Sequence, residues 1–251
     1  MNICILGATG NSGERLVAEA LRRGHSVTAV AREPRDLAMR FPDARVKQVD
    51  FSKLAPLIEV MAGHDAVVNA AGYVGTGTSF VTLVSDIIAA AREALGAGGR
   101  FWMFAGAALL DVPGTDRKTL SLPGVPKVYD PHLANYEAVR KSGLAWSVLC
   151  PGPMIESPSG SAHDGLVVST EHWPVERPSA TRYLPWIATS LAFKNAIGRM
   201  TIYYEDAAKV ILDGIEDAAL VQKRVGVALP DGETLHKDDA YAKIYDGSSE
   251  G

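Results

Sequence analysis

The sequence is poor in cysteine, and the two it has do not suggest a structural role for sulfur. Cys4 and Cys150 both stand inside short apolar segments typical of strands, where a thiol behaves as a small buried apolar side chain. Two such residues give neither a disulfide framework nor the ligand spacing of a zinc site. The sequence therefore favours neither a cystine-stabilised secreted protein nor a zinc protein.

An excess of one charge and a long apolar run are also missing. Lys and Arg number 25 against 29 Asp and Glu, giving a net charge of -4, without blocks of one sign. We therefore expect no nucleic acid and no anionic membrane as partner. No apolar run approaches the roughly 18 residues of a membrane span, and the first strand is predicted to begin so early that no signal peptide fits. These absences predict a cytoplasmic protein.

What is present is a regular alternation of strand and helix patterns in a chain of 251 residues, 47% of them apolar. Strands are predicted at residues 2–6, 25–31, 44–49, 66–70, 100–105, 144–150 and 224–229. Helices are predicted at residues 13–23, 54–61, 79–95, 132–141 and 206–220. Strands that are apolar throughout and separated by helices predict an α/β fold, a doubly wound parallel sheet of the Rossmann type with helices on both faces. We expect a single domain over residues 1–251.

One late segment departs from this alternation. Residues 151–200 are rich in Pro, Ser, Gly and Trp and have no sustained period. We predict a small irregular insertion here, on the substrate side of the domain. The last five residues, GSSEG, are predicted to be a frayed tail.

The first strand is followed by a glycine-rich turn, "ILGATGNSGERLV", with Gly7, Gly10 and Gly13 three apart. Glycine permits a tight turn and lets backbone N–H groups approach a pyrophosphate at the positive end of the following helix. Three polar residues of the turn add further donors: Thr9, Asn11 and Ser12. A glycine triplet alone is also explained by a purely structural turn, but the order of strand, loop and helix favours a dinucleotide site.

The end of the second strand bears on the choice of dinucleotide. An acidic residue there selects NAD through the ribose 2′-hydroxyl, whereas an arginine accommodates the 2′-phosphate of NADP. The sequence reads "AVAREPRD", which puts Arg32 in that place with Arg35 close by. This favours NADP as cofactor, while Glu33 keeps NAD open. The alternative is that Arg32 is a solvated loop residue.

Together these motifs resemble a known family. "GATGNSG", "AREP", "VDFS", "NAAG" and "SGLAWSVLCPGP", in this order along the chain, are similar to the atypical short-chain dehydrogenase/reductases. The closest group is NmrA-like, with the biliverdin reductase B-like NAD(P)H-dependent flavin or quinone reductases. The resemblance covers nearly the whole chain, and the GxxGxxG spacing is the short-chain form of the glycine loop.

The resemblance implies a role for individual residues along the cofactor. Gly7, Thr9, Gly10, Asn11 and Gly13 hold the pyrophosphate, Arg32 meets the 2′-phosphate, and Asp50 and Phe51 border the adenine. Ala70, Ala71 and Gly72 line the path to the nicotinamide ribose, and Pro151 and Gly152 border the nicotinamide. Each position also has a structural alternative, as a turn residue, a strand-end packing residue or a strand terminator.

The catalytic residues of the ordinary family members are a serine after strand five and a Tyr-x-x-x-Lys motif on the next helix. In this sequence residues 105–107, Ala-Gly-Ala, stand where the serine is expected. When the family motif is aligned on Ser142-Gly143, its tyrosine falls on Tyr129 and its lysine falls on Leu133, so the lysine is lost. A second register, Tyr136 with Arg140, keeps a cation but leaves too few residues before Ser142. We favour the first register.

Without the lysine, nothing lowers the pKa of a tyrosine in the usual way. Hydride transfer to an electron-poor acceptor can take its proton from solvent, and such a reaction needs positioning more than a tuned acid. His132 could act as an acid near neutral pH or be a surface residue of the helix start. Tyr129 could donate a hydrogen bond to a substrate oxygen or only pack.

The aromatic and histidine residues of the late insertion have two interpretations. They are His163, His172, Trp173, Tyr183 and Trp186. Because the resemblance places the insertion over the carboxyl ends of the strands, these rings suit a lid over a flat aromatic substrate. They could instead form the small core of the loop itself. The two histidines have no third ligand at metal spacing, so we expect no metal site.

The sequence thus predicts an NADP(H)-dependent oxidoreductase that reduces a small conjugated acceptor, such as a flavin or quinone, by direct hydride transfer. A non-catalytic NAD(P)-sensing regulator of the NmrA-like type is the alternative, since loss of the serine and lysine suits both. A redox-neutral isomerase or lyase is less favoured, because no strong base is evident. We expect a small-molecule substrate and a monomer or homodimer.

Overall fold

The computed structural model describes residues 1–176 and 186–236. The strands are β1 (Asn2–Leu6), β2 (Ser26–Ala31), β3 (Arg45–Gln48), β4 (Ala66–Asn69), β5 (Arg100–Phe104), β6 (Ala145–Cys150), β7 (Met154–Ile155), β8 (Val167–Thr170), β9 (Ile202–Tyr203) and β10 (Lys223–Ala228). The helices are α1 (Asn11–Arg22), α2 (Leu37–Arg40), α3 (Leu54–Met61), α4 (Thr78–Leu95), α5 (Asp130–Arg140), α6 (Trp186–Met200) and α7 (Tyr204–Asp213).

The main sheet has the strand order β3-β2-β1-β4-β5-β6-β10-β8. Its strands pair in parallel except for the last, since β8 runs antiparallel to β10. The chain winds outward from β1 to β3 and then returns to β4 on the other side of β1. This confirms the predicted doubly wound fold, and it puts the topological switch point between β1 and β4, where open α/β sheets bind ligands at the carboxyl ends of their strands.

Each face of the sheet is covered by its own helical layer. On one face, α1 packs against α7 and buries Leu16, Val17 and Ala20 against side chains of β1 and β2. On the other face, α4 lies between α3 and α5. Strand residues point alternately into these two layers, as Phe101 and Trp102 of β5 do, and both are fully buried. The burial on both faces explains why the strands read as continuous apolar runs.

The segment expected to be irregular contains regular structure. Helix α6 occupies its last fifteen residues, and strand β8 adds an edge to the main sheet. Thr189, Phe193, Ala196 and Met200 form the buried side of α6. Because this side contains small and polar residues, its apolar period is weak in the sequence and the helix was not predicted. Residues 237–251, with the GSSEG tail, lie outside the described part of the chain.

The other predicted elements are present with small shifts of their ends. The largest concerns the last helix, predicted for residues 206–220, which ends at Asp213 and is followed by a separate helical turn at Ala218–Leu220. Both cysteines are buried and unpaired, as expected, and burial raises the pKa of Cys4 to about 12. None of the helices within residues 1–176 and 186–236 is long and apolar enough to span a bilayer.

Candidate functional site

The glycine loop between β1 and α1 packs its backbone against neighbouring segments. Gly7 has φ +76, and a Cβ there would lie 2.7 Å from the backbone of Ala70 and Ala71. A Cβ on Gly13 would overlap the carbonyl oxygen of Gly7. Glycine is therefore required at both positions for the strand, the loop and the helix to approach this closely. The close approach holds the helix start directly above the end of β1.

The N-terminus of α1 presents backbone donors. Gly10 is the N-cap, and no side chain caps the helix. The N–H groups of Gly10 and Glu14 are bonded to Gly7 and Gly10 carbonyls. Those of Asn11, Ser12 and Gly13 have no partner among the described residues. Open N–H groups at the positive end of a twelve-residue helix are suited to a pyrophosphate, so the loop fits the dinucleotide that the sequence predicts.

At the ends of β2 and β3, the predicted adenosine-side residues have different environments. Arg32 is exposed directly after β2, and Gln48 donates a 3.0 Å hydrogen bond to its carbonyl oxygen. Asp50 accepts hydrogen bonds from the backbone N–H and hydroxyl of Ser52, and these bonds lower the pKa of its carboxyl. Phe51 is 4% exposed within the core. Its ring therefore cannot stack on an adenine, which leaves only its backbone for that contact.

The end of β4 leads from the glycine loop toward the centre of the sheet. Asn69 is buried, and its Oδ1 accepts a 2.9 Å hydrogen bond from the N–H of Ala71. This bond holds Ala70 and Ala71 against Gly7. Gly72 follows beside the ring of Phe80. The predicted path residues thus form one continuous backbone surface with the glycine loop.

A cavity of about 630 Å³ opens beside this surface, over the carboxyl ends of β5 and β6. Residues 105–108 and 151–154 form its floor, residues 123–126 form one wall, and α6 contributes to another. Tyr129 and His132 also line it. The structure therefore brings together the predicted Tyr129, His132, Pro151 and Gly152, together with the backbone where the family serine is expected.

His132, on the first turn of α5, is the most constrained polar group of the cavity. It is 8% exposed, with its ring stacked on Tyr129 and edge-on to Phe80. Burial lowers the pKa of His132 to about 4. The ring is therefore neutral at neutral pH. The interpretation as a surface residue is wrong, and so is the expectation of an imidazolium acid near neutral pH, because the helix start is packed against α4 and desolvated.

The two ring nitrogens of His132 have different environments. Nδ1 is fully buried without a hydrogen-bond partner in the described part of the chain. Nε2 faces Gly106, directly beyond the end of β5. A Cβ added to Gly106 would lie 3.5 Å from Nε2. A buried N–H without an acceptor is less favourable than a buried lone pair without a donor. We therefore assign the proton to Nε2, which makes this atom a donor facing the backbone where the resemblance leads us to expect the family serine.

The alternative register of the tyrosine motif does not reach the cavity. Tyr136 is 8% exposed, contacts Trp146 edge-on and lies under the Arg224 guanidinium. Arg140 pairs with Glu137 on the surface. Among the described residues that line the cavity, neither Tyr136 nor Arg140 is found. The geometry therefore favours the Tyr129 register, whose tyrosine lines the cavity.

The late aromatic residues brace the cavity wall without lining it. Trp173 is buried, donates a 2.6 Å hydrogen bond to Thr119 Oγ1 and packs on Phe193. Trp186 stacks under the Arg117 guanidinium. The backbone of His172 forms an isolated β-bridge with the backbone of Asp111. The lining from the late segment comes instead from α6 and from residues 151–154. The contacts of Trp173 and Trp186 therefore favour a packing role for these two rings. Tyr183 lies outside the described residues.

His163 ties the late segment to the start of α7. Its backbone N–H and its Nδ1 bond the two oxygens of Asp206 at 2.6 and 2.8 Å, and its ring stacks on Tyr203. Asp206 is fully buried and also accepts the N–H of Tyr203, as a helix cap does. His163 is therefore a structural clamp here. Within residues 1–176 and 186–236, no three His, Cys, Asp or Glu side chains are placed to hold a metal ion.

Two groups of residues were not found from the sequence. One is the cavity face of α6 with Tyr73 and Tyr204, which come from distant segments. The other is a buried ion cluster in which Arg224 contacts Asp111 and Glu171, each at 2.6 Å. Burial opposes the ionisation of Asp111, but the hydrogen bonds and charge of Arg224 outweigh it and lower its pKa. An arginine between the apolar residues of β10 was the available signal for this cluster.

Comparison with known proteins adds to this geometry. The sequence profile of a family described as NAD(P)H-binding matches residues 7–182. An uncharacterized protein of Bacillus subtilis strain 168, YwnB, is 29% identical over 229 residues, which cover 86% of this chain and 92% of YwnB.

Two solved structures show the same fold. SP1627 of Streptococcus pneumoniae TIGR4, which carries the provisional name NADH-flavin reductase, has a TM-score of 0.68 at 21% identity and covers 92% of this chain and 100% of its own. A wide-type short-chain dehydrogenase/reductase of Veillonella parvula DSM 2008, in complex with NADP, has a TM-score of 0.65 at 15% identity. It covers 92% of this chain and 96% of its own. At these identities the likeness is one of fold.

Proposed function

Since the chain belongs to the NAD(P)H-binding family, we propose that it is an oxidoreductase that uses NADP(H) to reduce a small conjugated acceptor, such as a flavin or quinone, by direct hydride transfer. The observation that carries the proposal is the 630 Å³ cavity, whose floor is the backbone after β5 and β6. It adjoins the surface that runs from the glycine loop through Ala70 and Ala71. A cofactor and a flat acceptor could therefore meet there.

The residues suited to hold the cofactor follow the carboxyl ends of the strands. The glycine loop with the α1 N-terminus suits the pyrophosphate, the exposed Arg32 suits a 2′-phosphate, and Pro151 borders the cavity. When bound, the reduced cofactor supplies the hydride. Arg32 is the basis for preferring NADP over NAD. The NADP bound to the Veillonella protein is compatible with this choice. The provisional name of SP1627 is compatible with a flavin as acceptor, but it names NADH as the cofactor.

The cavity residues position the acceptor rather than supply a strong acid or base. Apolar walls bury a flat ring and exclude water. His132 Nε2 and the Tyr129 hydroxyl are hydrogen-bond donors for acceptor oxygens, and the neutral His132 holds its own proton. No Asp or Glu is found among the described lining residues. With no carboxylate base at hand, reduction of an electron-poor acceptor, protonated from solvent, is favoured over oxidation of an alcohol.

The test is oxidation of NADPH by the purified protein with a panel of flavins, quinones and linear tetrapyrroles, beside calorimetric titration with NADPH. We expect turnover with at least one acceptor class. Firm NADPH binding without any turnover would instead support the non-catalytic NAD(P)-sensing alternative and overturn the enzyme proposal.

A further inference from the structure

One face of α6 forms a wall of the cavity. Ser190, Phe193, Lys194 and Ile197 all line it. Their spacing of three, four and seven residues is that of a single helix face. Lys194 is therefore on the cavity side of α6, at an exposed position. A lysine at such a position can bury its apolar stem and keep its ammonium group in water.

The ammonium group of Lys194 has no partner in the described part of the chain. It makes no hydrogen bond or ion pair with any residue that the structure describes. Some other cations are paired, for example Arg15 with Glu205 and Lys209 with Asp213, whereas exposed cations such as Lys47 have no ion pair in the described part of the chain. No described lining residue is acidic, and burial keeps His132 neutral. In a protein with a net charge of -4, this cavity thus has an unpaired positive charge at its wall.

The cavity combines an apolar interior with this single charge. Phe193, next to Lys194, is buried against Trp173, which fixes the apolar part of the wall. A flat ring would lie against that part, and a substituent reaching outward along α6 would meet the ammonium group. A lysine ammonium is a point charge that binds phosphate or carboxylate without demanding one geometry.

We propose that Lys194 determines acceptor specificity by binding an anionic substituent, so that the preferred acceptors are conjugated molecules with a phosphate, sulfonate or carboxylate group. This inference rests on the proposed function, since it names the substrate class of the same cavity. The pyrophosphate-binding loop is not part of the cavity lining. The charge of Lys194 is therefore assigned to the acceptor and not to the phosphates of the cofactor.

FMN and riboflavin provide a matched test, because they share the ring system and differ by one phosphate. Dissociation constants are measured by flavin fluorescence quenching, with and without NADP⁺, and KM values by turnover. We expect wild-type protein to bind FMN about tenfold tighter than riboflavin, as for one charge-assisted contact. Lys194→Met should abolish this preference and leave riboflavin binding unchanged, Lys194→Arg should retain part of it, and added salt should reduce it.

Controls separate this effect from other causes. Lys47→Met removes an exposed charge from β3, far along the sheet, and should leave the FMN preference intact. Naphthoquinone and its sulfonate give a second, smaller pair. An unchanged preference in Lys194→Met, or no tighter binding of either anionic member by wild type, overturns the inference. An equal loss of NADPH affinity in Lys194→Met also overturns it, because the charge would then serve the cofactor.

The outcome is distinguishable from failure of the proposed function. The binding preference is measured without turnover, so a protein that binds FMN through Lys194 but oxidises no NADPH supports the inference and overturns the enzyme proposal. Turnover of flavins by the wild-type protein with equal KM for FMN and riboflavin supports the enzyme proposal and overturns the inference about Lys194.

Discussion

At the scale of single residues, His132 shows how packing decides charge. Its ring is buried between Tyr129 and Phe80, and burial lowers its pKa from 6.5 to about 4. The folded state thus resists protonation that the unfolded chain accepts. The stability from this group is complete above pH 6.5 and is lost as the pH falls toward 4, by on the order of 3 kcal/mol in total.

Urea unfolding between pH 4 and 7 tests this dependence. His132→Phe, which keeps an aromatic ring but cannot titrate, should remove the corresponding part of the pH dependence between the two pKa values. Exposed His236 offers a control, since His236→Phe should leave the wild-type pH dependence in place. An equal slope in wild type and His132→Phe contradicts the assignment.

The same residue is predicted to contribute to acceptor binding through Nε2. Loss of one neutral hydrogen bond costs about 1 kcal/mol, which is roughly fivefold in kcat/KM. His132→Phe should lower kcat/KM for quinones by this amount and leave the NADPH dissociation constant unchanged. Tyr136→Phe, which alters a hydroxyl outside the cavity, is the control. Rescue by His132→Gln, which retains a side-chain donor, would separate the hydrogen bond from packing.

Arg32 tests the choice of cofactor. Arg32→Ala should weaken NADPH binding by about 1–3 kcal/mol, because a charge-assisted contact with the 2′-phosphate is lost, and should barely affect NADH. Arg45→Ala removes the same charge from the amino end of β3 and should affect neither cofactor. Titration calorimetry with both cofactors measures the difference. Equal weakening of NADPH and NADH by Arg32→Ala would show that NADP preference arises elsewhere.

At the scale of elements, the edge of the sheet is held by the ion cluster around Arg224. The guanidinium of Arg224 on β10 contacts Glu171, which directly follows β8, and Asp111, which lies in the segment after β5. Arg224→Met leaves the partly buried Glu171 without an ion-pair partner in the described structure and leaves Asp111 with only Lys118, at 3.4 Å. It should lower the free energy of unfolding by about 3–5 kcal/mol. The neighbouring Lys223→Met, which breaks no ion pair in the described structure, should change it by less than about 0.5 kcal/mol.

Elements were predictable where one period dominates. Except for β3, whose residues are mostly polar and exposed, the strands from β1 to β6 are largely apolar. Helix α1 buries Leu16, Val17 and Ala20 on one face, so both patterns are visible in the sequence. Helix α6 buries Thr189 and Ser190 together with Phe193, and its pattern is too weak to detect. Strand β8 lies at the edge of the main sheet, where it pairs with β10. Half of its residues are exposed, so its sequence has no strong apolar signal.

At the scale of the whole molecule, the doubly wound sheet assembles a site from both halves of the chain. The proposed cofactor side follows local motifs, because each of its segments stands directly at a strand end: the glycine loop, Arg32 and residues 69–71. The family match confirms the resemblance seen in those motifs. The acceptor side depends on tertiary packing. Tyr73, Lys194 and Tyr204 are far apart in sequence and meet only around the cavity, so no local pattern predicts them together.

The central claim is that this chain catalyses direct hydride transfer to a conjugated acceptor. The most direct measurement is single-turnover oxidation of NADPH by FMN, comparing NADPH with its analogue deuterated at the transferred hydrogen. We expect oxidation of the bound cofactor with a clearly slower rate for the deuterated form, and a further loss of rate with FMN in Lys194→Met. Firm binding of NADPH with no oxidation by any acceptor would contradict this claim.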